Sequence, residues 1–161
     1  MKIRTLLGSW FLLFFLGSFR ASAQGASGSV MDIAVSVPEL STWVQAVRAA
    51  GLEKSLSGPG SFTVFAPSNV AFSNLRPGAL EDLLKPQNKQ RLLDILNVHL
   101  ARRTFGSAQL AGKKSVESMG RKLLRISSEG HSLRVADALI AKADISATNG
   151  VVHIVDKVIM P

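Results

Sequence analysis

The side chains able to do chemistry in this chain are few and widely spaced. Its three histidines stand at positions 99, 131 and 153. None lies four residues from another, the separation that puts two imidazoles on one helix face around a metal, and there is no cysteine to complete a zinc site. No metal and no other cofactor is expected. Serines are plentiful, but no Gly-x-Ser-x-Gly turn presents one as a nucleophile, and no local cluster pairs a nucleophile with a base. The expectation is a protein that is not an enzyme and has no catalytic residues. His99 and His153 each interrupt an otherwise apolar run, where a neutral imidazole satisfies one donor and one acceptor, so both are expected to be structural.

Charge is the second kind of chemistry on offer. The chain carries 19 Lys and Arg against 11 Asp and Glu, a formal net charge of +8. Basic side chains gather at Arg102-Arg103, at Lys113-Lys114, and from Arg121-Lys122 to Arg125, all within one third of the chain. Arg102, Arg103, Lys113, Lys114 and Arg121 are therefore candidate contacts for an anionic partner. That partner is an anionic glycan or a cell-surface or matrix protein; the competing expectation is an ordinary solvated face.

The first residues point the protein out of the cytoplasm. Lys2 and Arg4 precede an apolar stretch from Leu6 to Leu16, and small residues follow at Ala21-Ser22-Ala23. That order is expected of a signal peptide over residues 1–23, cleaved near Ala23, which makes the product secreted or periplasmic and argues against nucleic acid as partner. The apolar stretch is shorter than the ~20 residues that a spanning helix needs, and no membrane span is expected in the mature chain. Residues 24–30 are small and polar and are expected to form a flexible leader. Residues 31–161 then suffice for one domain, held by a packed core because no disulfide is available.

Periodicity sets the elements of that domain. Leu40, Val44, Val47 and Ala50 recur at helical spacing before Gly51. Phe62 to Phe65 is β-branched and aromatic, as a buried strand requires, and Ser68 or Asn69 can cap a short helix through Phe72. Pro77 is expected in the first turn of another helix, and Gln87 to His99 forms a longer one with Leu92, Leu93, Ile95, Leu96 and His99 on its apolar stripe. Later, Leu123–Ile126 and Ser132–Val135 flank Glu129-Gly130 as a hairpin, and Val151 to Met160 reads as one long terminal strand or two short ones. Helices come early and strands late, an α+β class.

Two stretches carry a resemblance. Phe62-Thr63-Val64-Phe65-Ala66-Pro67-Ser68-Asn69, continuing to Phe72, is similar to the first signature block of the fasciclin-like (FAS1) domain family. Asp144-Ile145, then Asn149-Gly150-Val151-Val152-His153-Ile154-Val155-Asp156, resembles the second block, and His99 resembles the family's central-helix histidine, preceded here by Val98 where the family usually has tyrosine. The resemblance implies a wedge of about seven strands in two sheets, flanked by helices in the N-terminal half, used for cell adhesion. It also implies that Asp144-Ile145 could contact a partner, as an Asp-Ile pair does in some animal members, although Lys142-Ala143 precedes it here in place of Glu-Pro. From the residues themselves, Asn149-Gly150 offers a backbone able to reach positive φ, and Asp156 an acceptor for nearby amides. The function expected is binding to a surface or matrix; the alternative is an extracytoplasmic carrier of a small apolar or amphiphilic ligand.

Overall fold

The computed structural model describes residues 28–161, so the expected signal peptide and residues 24–27 lie outside the described residues. The expected leader boundary at residue 30 is corrected by the structure. Ser29 caps helix α1 (Val30–Ser36) in a capping box with Asp32, Val30 is fully buried, and its N–H donates to Asn149 Oδ1 at 2.8 Å. One apolar residue placed to follow a capping serine draws this end into the core, which composition averaged over seven residues does not reveal.

The helical layer is built from short pieces. A 3₁₀ turn at Pro38–Leu40 leads into α2 (Ser41–Ala50), which ends at Gly51 with φ 77° and the glycine N–H on the Arg48 and Val47 carbonyls. Then come α3 (Glu53–Ser57), α4 (Asn69–Ser73), α5 (Ala79–Leu83) and α6 (Lys89–Val98). Pro77 does not enter a helix as expected, because α5 begins only after Gly78, whose left-handed φ of 80° turns the chain first. Ser68 caps α4 by accepting from Ala71 N–H. Asn69 beside it reaches across to α2, accepting from Thr42 N–H at 3.0 Å and donating to Pro38 O at 3.1 Å. A side chain from the strand-to-helix turn thus satisfies an amide that α2 leaves unpaired.

Seven strands follow the class expected: β1 (Phe62–Pro67), β2 (Leu100–Arg102), β3 (Ser115–Glu117), β4 (Leu123–Glu129), β5 (Ser132–Val135), β6 (Ala138–Ala147) and β7 (Gly150–Val155), with helix α7 (Ser107–Ala111) between β2 and β3. They form one hydrogen-bonded succession, β2-β1-β7-β6-β5-β4-β3, in which the two expected sheets are joined through β6. The register of β6 on β7 slips twice, between Ile140 and Lys142 and between Lys142 and Ile145. Such bulges bend a strand, and the succession curves until its edges meet: Ala101 bridges Ser118, and Met119 N–H donates to Leu100 O at 2.7 Å. The terminal strand stops at Val155, short of the expected Met160, and the tail beyond packs Ile159 into the interior without ladder bonds.

β1 and β7 are parallel neighbours at the centre, buried on both faces. Val64, Ala66, Val152 and Ile154 meet the helices in one apolar cluster that includes Trp43, Val47, Leu92 and Leu96. Phe65 and Val155 point the other way, into a second cluster with Leu110, Val116, Leu124 and Val135. Near-continuous apolar runs are what two-sided burial demands of parallel strands. Each large side chain buried this way contributes about 1.5–3 kcal/mol.

The start of β7 is the tightest point. A Cβ on Gly150 would stand 2.1 Å from Phe62 O and 2.9 Å from Phe62 C. Gly150 is needed for this close approach of β1, which corrects the expectation that it supplies positive φ. Since the obstacle is backbone carbonyl in a paired strand, Gly150→Ala should destabilise the protein by about 3 kcal/mol. Urea unfolding is expected to show a lower midpoint with unchanged slope.

Candidate functional site

The groove with the strongest charge lies at the seam where β2 and β3 come together. It encloses about 480 Å³ and is lined by Arg102, Arg103, Phe105, Lys113, Ser115, Val116, Glu117, Ser118, Met119 and Arg121. Four of the five basic residues singled out from the sequence thus share one concavity. Lys114 does not line it; its carbonyl instead accepts from Ile126 N–H at 2.9 Å. The four arrive from separate segments: the end of β2, the loop after it, the turn after α7, and the turn from β3 to β4.

The walls are held from beneath. Thr63 is fully buried, and its hydroxyl donates to Arg103 O at 2.7 Å while accepting from Phe105 N–H at 2.8 Å. The Arg103 N–H donates to Ser61 O at 2.9 Å. On the other wall, Ser118 N–H donates to Lys122 O, Gly120 N–H to Asn97 O, and Arg121 N–H to Ser118 O. These bonds keep Arg103 at φ 73° and Arg121 at φ 59°. A left-handed backbone is unfavourable for a side chain like arginine and persists only where its surroundings enforce it. Lys113 Nζ sits 5.1 Å from the centroid of the Phe105 ring, a cation–π contact. Glu117 is the one acid in the lining, and the ion pairs among the described residues, Arg48–Glu53, Lys85–Asp82 and Lys142–Glu39, all lie elsewhere.

The residues of the two signature-like blocks are largely occupied in building the fold. Val64, Phe65, Ala66 and Phe72 are core, and Pro67 closes β1. Asn149 is a three-way clamp: besides accepting from Val30, its amide donates to Leu56 O and Gly58 O at 2.8 Å each. Val151 is buried on β7, and Asp156 Oδ1 accepts from Leu139 N–H at 2.8 Å, tying the end of β7 to the start of β6.

Asp144 sits in the second slip of β6 with φ 60°. Its carboxylate accepts from Ser107 N–H at 2.7 Å and from the Ser107 hydroxyl, which anchors the start of α7. Partial burial works to raise its pKa, but the two Ser107 bonds outweigh this and leave it below the usual carboxylate value. Its N–H, released from the ladder by the bulge, donates to His153 Nδ1 at 3.2 Å. Ile145 is half-buried and packs on the helical core. The structure thus brings neither Asp144 nor Ile145 into the basic groove.

Both histidines are neutral connectors. His153 Nε2–H donates to Phe105 O at 2.8 Å, and the ring stacks on Phe65 with centroids 5.7 Å apart. Burial holds its pKa below the ordinary value. His99 Nδ1–H donates to Ile95 O at 2.8 Å, leaving Nε2 to accept from Ile159 N–H at 2.9 Å. Burial pushes its pKa from 6.5 down to about 4. Val98, in place of the family's usual tyrosine, is 2 % exposed and packs in the second core cluster.

A second cleft of about 310 Å³ lies between α5, α6 and the tail, where Leu75, Pro77, Leu83, Ile95 and Met160 alternate with Arg76, Asp82, Asn88 and Arg91. It mixes polar and apolar groups and is smaller than the basic groove. Sequence reading missed Ser115, Glu117, Ser118 and Met119 as groove walls because β3 is a three-residue edge strand with no periodicity to detect.

Comparison with known proteins follows the same lines. A model of the fasciclin domain matches residues 38–161. The chain is 37% identical over 140 residues to protein sll1483 of Synechocystis sp., covering 87% of this chain and 77% of that one. It is 36% identical over 135 residues to the rabbit (Oryctolagus cuniculus) transforming growth factor-beta-induced protein ig-h3, spanning 84% of this chain but 20% of that much longer protein. Among solved structures, a FAS1 domain pair from the insect cell adhesion molecule Fasciclin I superposes with a TM-score of 0.76 at 18% identity, over 84% of this chain and 52% of that one.

The geometry around His99 sets a pH dependence. Its folded pKa lies below the unfolded value of 6.5, so the unfolded chain binds the proton first as pH falls. Its stabilising contribution is whole above pH 6.5 and drains away down to about pH 4, a loss of roughly 3 kcal/mol. Burial of His153 acts in the same direction. Thermal melting between pH 7 and 4 is expected to show this decline, and His99→Gln is expected to melt lower at pH 7 with a shallower pH slope.

Proposed function

This chain belongs to the fasciclin domain family, and we propose that it is an exported binding module that attaches to a cell-surface or matrix component, without turnover and without a cofactor. The observation that carries the reading is the groove at the strand seam: four exposed basic side chains, two of them on enforced left-handed backbone, with none of the four in an ion pair among the described residues. Cationic groups left without an acidic partner are free to engage an anionic surface. Export rests on the first 23 residues, with their basic start, apolar stretch and Ala-x-Ala end. The adhesion role named for the insect relative points the same way.

A carrier of small apolar ligands would be served by a deep, mostly apolar cavity. The cleft beside Met160 has Arg76, Asp82 and Arg91 in its wall and fits that role less well. Asp144 is assigned to the scaffold rather than the contact surface, since both carboxylate oxygens are held by Ser107.

Binding of the purified protein to intact cells, followed from low to high ionic strength, is the test. Saturable binding that weakens with salt is expected; a folded protein that binds no surface would overturn the reading. Asp144→Asn keeps a residue tolerant of the left-handed backbone. It is expected to lower stability by about 1 kcal/mol and to leave cell binding unchanged.

A further inference from the structure

The basic groove has features that narrow its ligand, given the surface-binding reading above on which this inference rests. Its charges do not sit on one helix face or one loop, where a solvated basic run would. Arg103 and Arg121 face the groove from opposite walls, each at a left-handed residue that the fold pins by backbone bonds from beneath. Lys113 is steadied by the Phe105 ring. A pinned backbone fixes where each charge is rooted, so that meeting an anion costs side-chain freedom but no reordering of the loops.

We propose that this groove is a binding site for an acidic polysaccharide, whose carboxylate or sulfate groups are taken by Arg102, Arg103, Arg121 and Lys113. Three features favour a glycan chain over other polyanions. The site is a concavity, which a strand of sugars can enter and a flat bilayer cannot. Its exposed Ser115 offers a hydroxyl suited to sugar hydroxyls, whereas Ser118 is buried with its hydroxyl accepting from Lys122 N–H, and Glu117 is the one acid beside them. Its one aromatic, Phe105, is half-buried with Lys113 over its face, so no open ring is presented for the base stacking that single-stranded nucleic acid uses. Protein partners, for their part, anchor on aromatic and apolar hot spots, and of the apolar lining only Met119 is exposed.

Arginine at left-handed positions also fixes how to test the site. Asparagine tolerates that backbone, so Arg103→Asn and Arg121→Asn remove the charge without adding strain, and Lys113→Gln does so at a position of ordinary backbone. The purified protein is titrated with polygalacturonate, dextran sulfate, neutral dextran, and vesicles of phosphatidylglycerol, each across a salt series, with thermal melting run on every variant. Polygalacturonate or dextran sulfate is expected to bind and neutral dextran not to. Each variant is expected to weaken that binding about tenfold and to lower the salt slope by up to about one, whereas Lys54→Gln on α3, away from the groove, is expected to change neither appreciably.

Equal losses from Lys54→Gln and the groove variants would overturn the site in favour of diffuse attraction. Binding to vesicles with none to either polyanion would overturn it in favour of a membrane surface. If the protein attaches to cells but to neither polyanion, this inference fails while the adhesion reading stands; if it attaches to nothing, both fail. Should an arginine variant melt early, Lys113→Gln decides: unchanged polyanion affinity in that variant counts against the site.

Discussion

The pairing of β1 with β7 is the constraint from which the rest of the architecture follows. The strands are far apart in sequence and run parallel, so no turn can bring them together, and every interaction between them must repay the closure of a long loop. Gly150 lets the two backbones meet at Phe62, and Asn149 beside it gathers Val30, Leu56 and Gly58 to the same point. Once they pair, their alternating side chains divide the interior. Val64, Ala66, Val152 and Ile154 organise the helices, and Phe65 and Val155 organise the outer strands. Thr63, in the same strand, reaches past β2 to hold the loop that carries Arg103. The groove is therefore positioned from the centre of the core.

Closure of the strand succession explains why the groove lies where it does. Edges of a sheet are reactive surfaces that a fold must cover, pair or charge. Here the two edges meet at one bridge, Ala101 with Ser118, and part on one side of it into a charged concavity. Charged side chains at such a seam are one of the ways a sheet edge is kept from pairing with another copy.

The buried histidines show how polar groups can be used inside such a core without ionising. Each ring has one donor and one acceptor satisfied by backbone, in directions that only the neutral form supports. His99 joins the central helix to the C-terminal tail, and His153 joins the bulge of β6 to the loop before α7. Their burial depresses both pKa values, so the links are secure near neutrality. A different group in either place would leave a backbone partner unpaired in the interior.

Sequence alone determined the elements whose signal is local. The period of α2 and α6, the apolar run of β1, the hairpin of β4 and β5 and the two signature-like blocks were all legible, and they led to the class and the family. The basic residues were legible as a composition, three clusters within one third of the chain. Tertiary structure decided where those residues stand relative to one another. Only closure of the succession showed that Arg102, Arg103, Lys113 and Arg121 share a groove and that Lys114 does not, since the bonds that place the turns of Arg103 and Arg121 run to Ser61, Thr63 and Asn97. It also moved Ser29 and Val30 into the fold, ended β7 at Val155, and turned Asp144 toward Ser107. The physical reason is the same in each case: periodicity reports which face of an element is apolar, whereas capping, close approach and strand closure depend on partners tens of residues away.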